Sequence, residues 1–178
     1  MRDRTDDLLR LLDVEGPRLH ALLNRMTLSE DVAEDLMQEL FLKLNRSKAF
    51  DRADAPAAYA VRAAVHLAFD WRRRQKRRSE SNSIPGDLAA DCSSSDELDN
   101  RDELEGVLDA MARLPNLQRE IVVFHYLHHQ SYEVIGGQLG KTAHQVRALC
   151  HKAVVQLREF VGRNVPPAAE REVFRDRK

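Results

Sequence analysis

The sequence predicts an all-α protein: two small helical domains joined by an acidic flexible linker, the second containing a helix-turn-helix. Three observations carry this. Glycine and proline are scarce, 7 and 6 in 178 residues, too few for the turns of a β fold. Apolar residues recur at spacings of three and four along most of the chain. Serines and acids interrupt that period in one long stretch, 79–102.

The first helix spans about Asp7 to Arg25 and carries Leu8, Leu11, Leu12, Leu19, Leu22 and Leu23. Gly16-Pro17 interrupts it and is expected to kink or split it. The clearest helix follows, Ser29 to Asn45. Val32, Leu36, Leu40 and Leu44 form one apolar row, and Ala33, Met37 and Phe41 a second. Thr27 and Glu30 read as its capping box. Residues 46–56 read as a loop, with Pro56 suited to the first turn of a helix from Ala57 to Arg77. Its apolar face is Val61, Ala64, Val65, Ala68 and Phe69 or Trp71. Periodicity returns at Leu104, Val107, Leu108, Met111 and Leu114, stops at Pro115, and resumes from Asn116 to His128.

The helix-turn-helix lies at 131–161. Ser131 is the expected N-cap of its first helix, Gly140 the left-handed turn residue, and Thr142 the cap of its second helix. Ile135, Leu139, Val146 and Leu149 fill the angle between the two helices. Thr142, His144, Gln145, Arg147, His151 and Lys152 are candidates for DNA contact, because the start of a second helix enters the major groove. Gln pairs with adenine, and Arg with guanine or phosphate. The expected domains are 1–78 and 103–163, with a linker at 79–102 and a disordered tail at 164–178.

The net charge of -1 conceals a layout. Residues 71–78 carry +6, residues 79–106 carry -8, and residues 141–178 carry +5. Two basic blocks flank an acidic one, which suits two polyanion-binding surfaces. Phe69 and Trp71 stand beside the first block. Such aromatics can hold unstacked bases, but here the apolar face needs them as core. Cys92 and Cys150 form neither a zinc pattern nor a disulfide framework. His125, His128 and His129 have metal-like spacing but no acidic or thiol partner, so a partly buried helix-end cluster is the reading. No nucleophile–base pattern or glycine-rich phosphate loop occurs, so neither an enzyme nor a cofactor is expected. No apolar run spans a bilayer and the N-terminus lacks a signal core; a cytoplasmic protein without membrane insertion is expected.

Three segments carry a family resemblance. Residues 31–44, DVAEDLMQELFLKL, resemble the A-E-D-L-x-Q-E-x-F-x-x-L segment of bacterial RNA polymerase sigma factors. Residues 59–73, YAVRAAVHLAFDWRR, resemble the W-L-x-R-I-A-R-N-x-A-x-D-x-x-R helix that follows it. Leu114-Pro115, Arg119-Glu120 and the run from Ser131 to Arg147 resemble the second domain of that family. The order and separation match the extracytoplasmic function (ECF) class, over about residues 7–162.

The resemblance implies a transcription initiation factor whose partners are core RNA polymerase and promoter DNA, and it admits an anti-sigma factor. It implies that Asp35, Gln38, Glu39 and Leu42 dock on the β′ clamp helices, and that the second domain packs on the β flap. Around the -10 element it implies Phe50, Asp51, Arg52, Arg62, His66, Asp70 and Arg73, which Arg74, Lys76 and Arg77 of the basic run extend. Around the -35 element it implies the recognition helix. A helix-turn-helix regulator acting without polymerase is the alternative, and a degenerate sigma-like interaction module a third reading.

Departures from the pattern matter. His66 replaces Asn, Tyr59-Ala60 replaces Trp-Leu, and Gly136-Gly137 replaces Ala-Glu, at about 1 kcal/mol per glycine. Gln145, Ala148, Leu149 and Val154 replace Thr, Ser, Arg and Arg, so the family's -35 preference does not carry over. A linker of about 24 residues spans at most ~80 Å. Two major-groove sites two turns apart lie roughly 70 Å apart, so both domains can reach one promoter.

Overall fold

The structure, a computed structural model, describes residues 4–81 and 95–162. The expected tail and most of the expected linker lie outside these residues. The described residues form helices and no strands: α1 (Arg4–Thr27), α2 (Glu30–Arg46), α3 (Pro56–Ser81), α4 (Ser95–Ala112), α5 (Asn116–Val122), α6 (Tyr132–Leu139) and α7 (Ala143–Gly162). None is long and apolar enough to cross a membrane.

α1 runs unbroken through Pro17, so the expected split does not occur. A proline deletes one N–H, and the turns on both sides hold the helix together. Leu8, Leu19, Leu23 and Met26 are buried and anchor α1 across α2 and α3. The cap of α2 also differs from the expectation. Ser29, not Thr27, is the N-cap, its Oγ accepting from the Val32 N–H at 3.5 Å. Thr27 still belongs to α1, where its hydroxyl donates to the Leu23 carbonyl at 2.9 Å. Leu28 makes the reversal between the helices with a φ of 58°, a left-handed conformation unusual for a bulky residue.

On α2 the buried row is Ala33, Leu36, Leu40 and Leu44. Val32, Met37 and Phe41 sit at its margins, half-buried. The apolar stripe is wider than α1 and α3 can cover. α3 begins at Pro56, as its fixed φ suggests, and continues to Ser81 rather than stopping at Arg77. Phe69 is fully buried and Trp71 half-buried, so the core reading of both rings holds. α4 begins at Ser95, well before Leu104.

The second half packs α5 and α6 against α7, with α4 also on α7. The expected helix 116–128 changes pitch: after Val122 the chain continues as a π-helical turn from Val123 to Leu127. The His128 N–H bonds to the Val123 carbonyl at 3.2 Å and closes the wider loop. Ser131 caps α6, accepting from the Val134 N–H at 3.4 Å. Gly140 turns the chain with φ 62° and ψ 38°. Ile135 and Val146 are fully buried in the angle between α6 and α7; Leu139 and Leu149 are half-buried beside them.

Gly136 explains how closely the turn folds back. It is buried, and a Cβ there would lie 2.5 Å from the Lys141 carbonyl oxygen. The Lys141 N–H bonds to the Gly136 carbonyl at 2.9 Å and ties the turn shut. A Cβ at Gly137 would meet nothing within 4 Å, and nothing in the structure explains that glycine.

Candidate nucleic-acid interface

Three candidate faces arise from these elements. On α2, Asp35, Gln38, Glu39 and Leu42 are all exposed, Leu42 by 48%. Met37, Gln38, Phe41 and Leu42 line a shallow apolar depression. A second groove, lined by Val32, Asp35, Leu36, Glu39, Trp71 and Arg74 among others, joins α2 to α3. An apolar floor rimmed by acids and an amide is the make-up of a protein-docking patch.

The second face surrounds α3 and the loop before it. Asp51 and Arg52 are exposed at the loop tip. Phe50 is not: only 8% of it is accessible, and its ring packs on Tyr59 with centroids 5.9 Å apart. Phe50, expected in the -10 contact region, is thus mostly covered, while its neighbours Asp51 and Arg52 are exposed. Its place is in the core, because the loop closes over α3. Ser47 organises that closure, accepting the Phe50 N–H at 3.1 Å and bonding the Tyr59 hydroxyl at 2.9 Å. Asp70 pairs with Arg73 on the same helix. Arg73, Arg74, Lys76 and Arg77 are exposed. Arg72 is not; its guanidinium is buried on Asp109 at 2.7 Å.

The third face is the start of α7. Thr142, His144, Gln145, Arg147, His151 and Lys152 are all exposed on it. Gln145 has a further duty. Its Oε1 accepts the Thr142 N–H at 3.0 Å, and its own N–H bonds to Thr142 Oγ1 at 3.2 Å. This reciprocal capping box fixes the amide and leaves its NH2 as the outward group. The Arg147 guanidinium lies 5.5 Å from the Tyr132 ring centroid.

The histidine trio is local. His125 Nδ1 lies 3.0 Å from the Gln130 carbonyl, and its ring stacks on Tyr132 at 4.4 Å. His128 is half-buried, and burial lowers its pKa. Among the described residues no group of three or more His, Cys, Asp or Glu side chains could hold a metal.

The spacing of apolar residues gave no hint of how the two halves meet. Glu120 of α5 is 3% exposed and faces α3. Its Oε2 accepts from Arg62 Nε at 2.9 Å, and its Oε1 lies 2.5 Å from His66 Nε2. Asp109 of α4 takes Arg72 at 2.7 Å and Lys76 at 3.4 Å. The neighbouring Arg119 is 2% exposed, with its guanidinium 4.4 Å over the Phe69 ring. It donates to the carbonyls of Met111 and Ala112 at the end of α4 and of Leu114 just past it. Desolvation, with Arg73 nearby, lowers its pKa to about 10, which leaves it charged at neutral pH. The signal in the sequence was an adjacent Arg119-Glu120 pair inside an apolar helix, where charges are buried only with partners.

Burial pushes the Glu120 carboxyl up, but the His66 hydrogen bond and the Arg62 charge outweigh it, and its pKa lies below the ordinary value. A depressed carboxyl pKa contributes stability above its unfolded value and loses it as pH falls through the folded value. The urea midpoint is thus expected to fall on acidification below about pH 4.3 more steeply in the natural chain than in Glu120→Gln. Parallel pH profiles for the two proteins would refute this.

Known proteins align along both halves. The family described as Sigma-70 region 2 matches residues 11–78, and Sigma-70, region 4 matches residues 104–157. The RNA polymerase sigma factor CarQ of Myxococcus xanthus is 28% identical over 148 residues, covering 83% of this chain and 84% of that protein. The ECF RNA polymerase sigma factor SigE of Mycolicibacterium smegmatis is 28% identical over 170 residues, covering 93% of this chain and 64% of that protein. Among solved structures, the sigma factor RpoE from Bartonella quintana, crystallised with the anti-sigma factor NepR, shares the fold. Its TM-score is 0.50 at 20% identity, covering 89% of this chain and 99% of that one.

Proposed function

The chain belongs to the sigma-70 family of RNA polymerase sigma factors, in its ECF class, and from that premise we propose that it directs core polymerase to promoters carrying -10 and -35 elements. It is a transcription initiation factor and not an enzyme. The observation that carries the reading is the ordered pair of matches, region 2 before region 4, on one chain. A DNA-binding regulator needs only the second.

The exposed α2 face of Asp35, Gln38, Glu39 and Leu42 docks on polymerase, with the Met37–Phe41 depression as its apolar floor. The loop tip at Asp51-Arg52 and the α3 residues Arg62, His66, Asp70, Arg73, Arg74, Lys76 and Arg77 face the -10 region. The start of α7, led by Arg147, enters the major groove at the -35 element. The proposed units of function are 1–78 and 103–163, and the proposed place of action is the cytoplasm, beside polymerase. An anti-sigma factor is a further partner, since the RpoE fold was captured with one. The tight turn at Gly136 supports a built helix-turn-helix over a degenerate module.

The test mixes the purified chain with core polymerase and a genomic DNA library and sequences the transcripts. Absence of polymerase binding rejects the reading. Gln38→Ala with Glu39→Ala is expected to weaken polymerase binding by about tenfold while leaving the helical content unchanged. Arg147→Ala is expected to lower upstream DNA affinity by roughly 5- to 100-fold. Unchanged upstream protection by that variant would remove Arg147 from the recognition surface.

A further inference from the structure

We propose that Gln145 is a specificity-determining residue that selects guanine in the -35 element, because its capping bond to Thr142 leaves its NH2, and not its oxygen, to meet a base. The inference rests on the proposed -35 role of α7 and names the base that one of its exposed side chains takes.

A free glutamine amide suits adenine: its oxygen accepts from the N6 amino group while its NH2 donates to N7. That pairing needs both ends of the amide on one base edge. In this chain the two ends are divided between tasks. Gln145 Oε1 accepts the Thr142 N–H at 3.0 Å, and the Gln145 N–H donates to Thr142 Oγ1 at 3.2 Å. A backbone N–H can donate only to the oxygen, so the partner itself fixes which end of the amide turns back to the chain. Gln145 is exposed, and its NH2 is the end left for a ligand.

The major-groove edges sort the four bases against a lone donor. Guanine offers two adjacent acceptors, O6 and N7. Thymine offers O4 alone, beside its methyl group. Adenine sets an amino group next to N7, and cytosine presents an amino group, so both meet the amide with a like donor. Guanine is thus read with the capping box intact, whereas adenine is read in full only by turning the oxygen away from Thr142. A side chain already held at one end also has less freedom to lose on binding.

The neighbours leave this reading to the amide. Ala148 and Leu149 lie one turn on, on the same side of α7, and carry no polar side-chain atom. Arg147 points elsewhere. Buried Val146 lies between Gln145 and Arg147, about 100° from each, so the two flank opposite sides of the helix and meet different base pairs.

The test uses the full chain with core polymerase and DNA duplexes randomised across the upstream element, and sequences the bound duplexes. The natural chain is compared with Gln145→Glu and Arg147→Ala. Glutamate keeps an oxygen for the Thr142 N–H, and an acid suits a helix start, so the box and the fold are retained, as circular dichroism checks. Its outward end is an acceptor, which pairs with the cytosine amino group. Preferences are ratios within one library, so the general weakening that an added negative charge brings cancels.

The natural chain is expected to favour guanine over adenine by about three- to tenfold at one position, the worth of one hydrogen bond. Gln145→Glu is expected to move that position to cytosine. Arg147→Ala is expected to alter a different position and to leave the guanine in place. An adenine preference at the Gln145-dependent position, or a glutamate variant that does not bring in cytosine, overturns the inference, and the -35 role of α7 still stands where Arg147→Ala alters its own position. Preferences that neither variant changes overturn the -35 role of α7 and this inference with it.

Discussion

Arg119→Ala is expected to destabilise the protein by about 3–5 kcal/mol, the largest loss at any single polar position. The guanidinium donates to the carbonyls of Met111, Ala112 and Leu114 at 2.8–3.0 Å. A helix end leaves its last carbonyls short of intrahelical partners; Met111 keeps one bond, from the Leu114 N–H at 3.1 Å, and Met111 and Leu114 are buried while Ala112 is half-buried. Alanine removes the guanidinium donors from all three carbonyls, two of them on buried residues. It also opens a void against Phe69, which the guanidinium covers at 4.4 Å. Lysine is expected to recover only part of the loss, since one ammonium cannot reproduce a planar fork aimed at several acceptors. Thermal unfolding followed by circular dichroism measures both variants. A loss under about 1 kcal/mol for Arg119→Ala would mean that water reaches the carbonyls and the capping role is wrong.

The second large effect separates two adjacent glycines. Gly136→Ala is expected to cost about 1–3 kcal/mol and to weaken upstream DNA binding, because its Cβ would press on a backbone oxygen. The obstacle is the Lys141 carbonyl at 2.5 Å, held by the turn itself, so relief requires α6 and α7 to move apart. That movement displaces the recognition helix from the rest of its domain. Gly137→Ala meets open space and is expected to stabilise the chain by up to about 1 kcal/mol through helix propensity. Denaturant unfolding of the pair gives a direct contrast. Equal effects of the same sign at both positions would show that the close approach at Gly136 does not constrain the turn.

The same pair shows how far periodicity alone reaches. From the sequence the two glycines carry equal costs, since helix propensity is a property of each residue. Their difference comes from a carbonyl five residues on that folds back over only one of them. Elements were legible where they depend on local chemistry: Ser131 as a cap, Gly140 as a left-handed turn, Pro56 as a helix start and Phe69 as core. Local rules misled where a neighbouring segment competed. Thr27 had the spacing of a capping box, yet α1 retained it and Ser29 took the role. Phe50 sits among polar loop residues, but the Ser47–Tyr59 hydrogen bond draws the loop over the ring. The Gln145 side chain has the chemistry to read a base and also that of a cap, and the structure uses its oxygen for the cap.

By itself the sequence determined the helices, the order of the two halves, the exposed face of α2 and the family. Each follows from contacts within a few residues or from motifs that local order preserves. Only the tertiary structure decided what the charges do. Arg72, Arg119, Glu120 and Asp109 are ordinary members of a chain with nearly balanced charge until α4 and α5 come against α3. Whether one of these charges meets an opposite charge depends on residues 33–58 positions away, and Arg119 meets its helix end only because α5 folds back on α4, 5–8 positions before it; Coulomb and desolvation energies depend on distance in space, not along the chain.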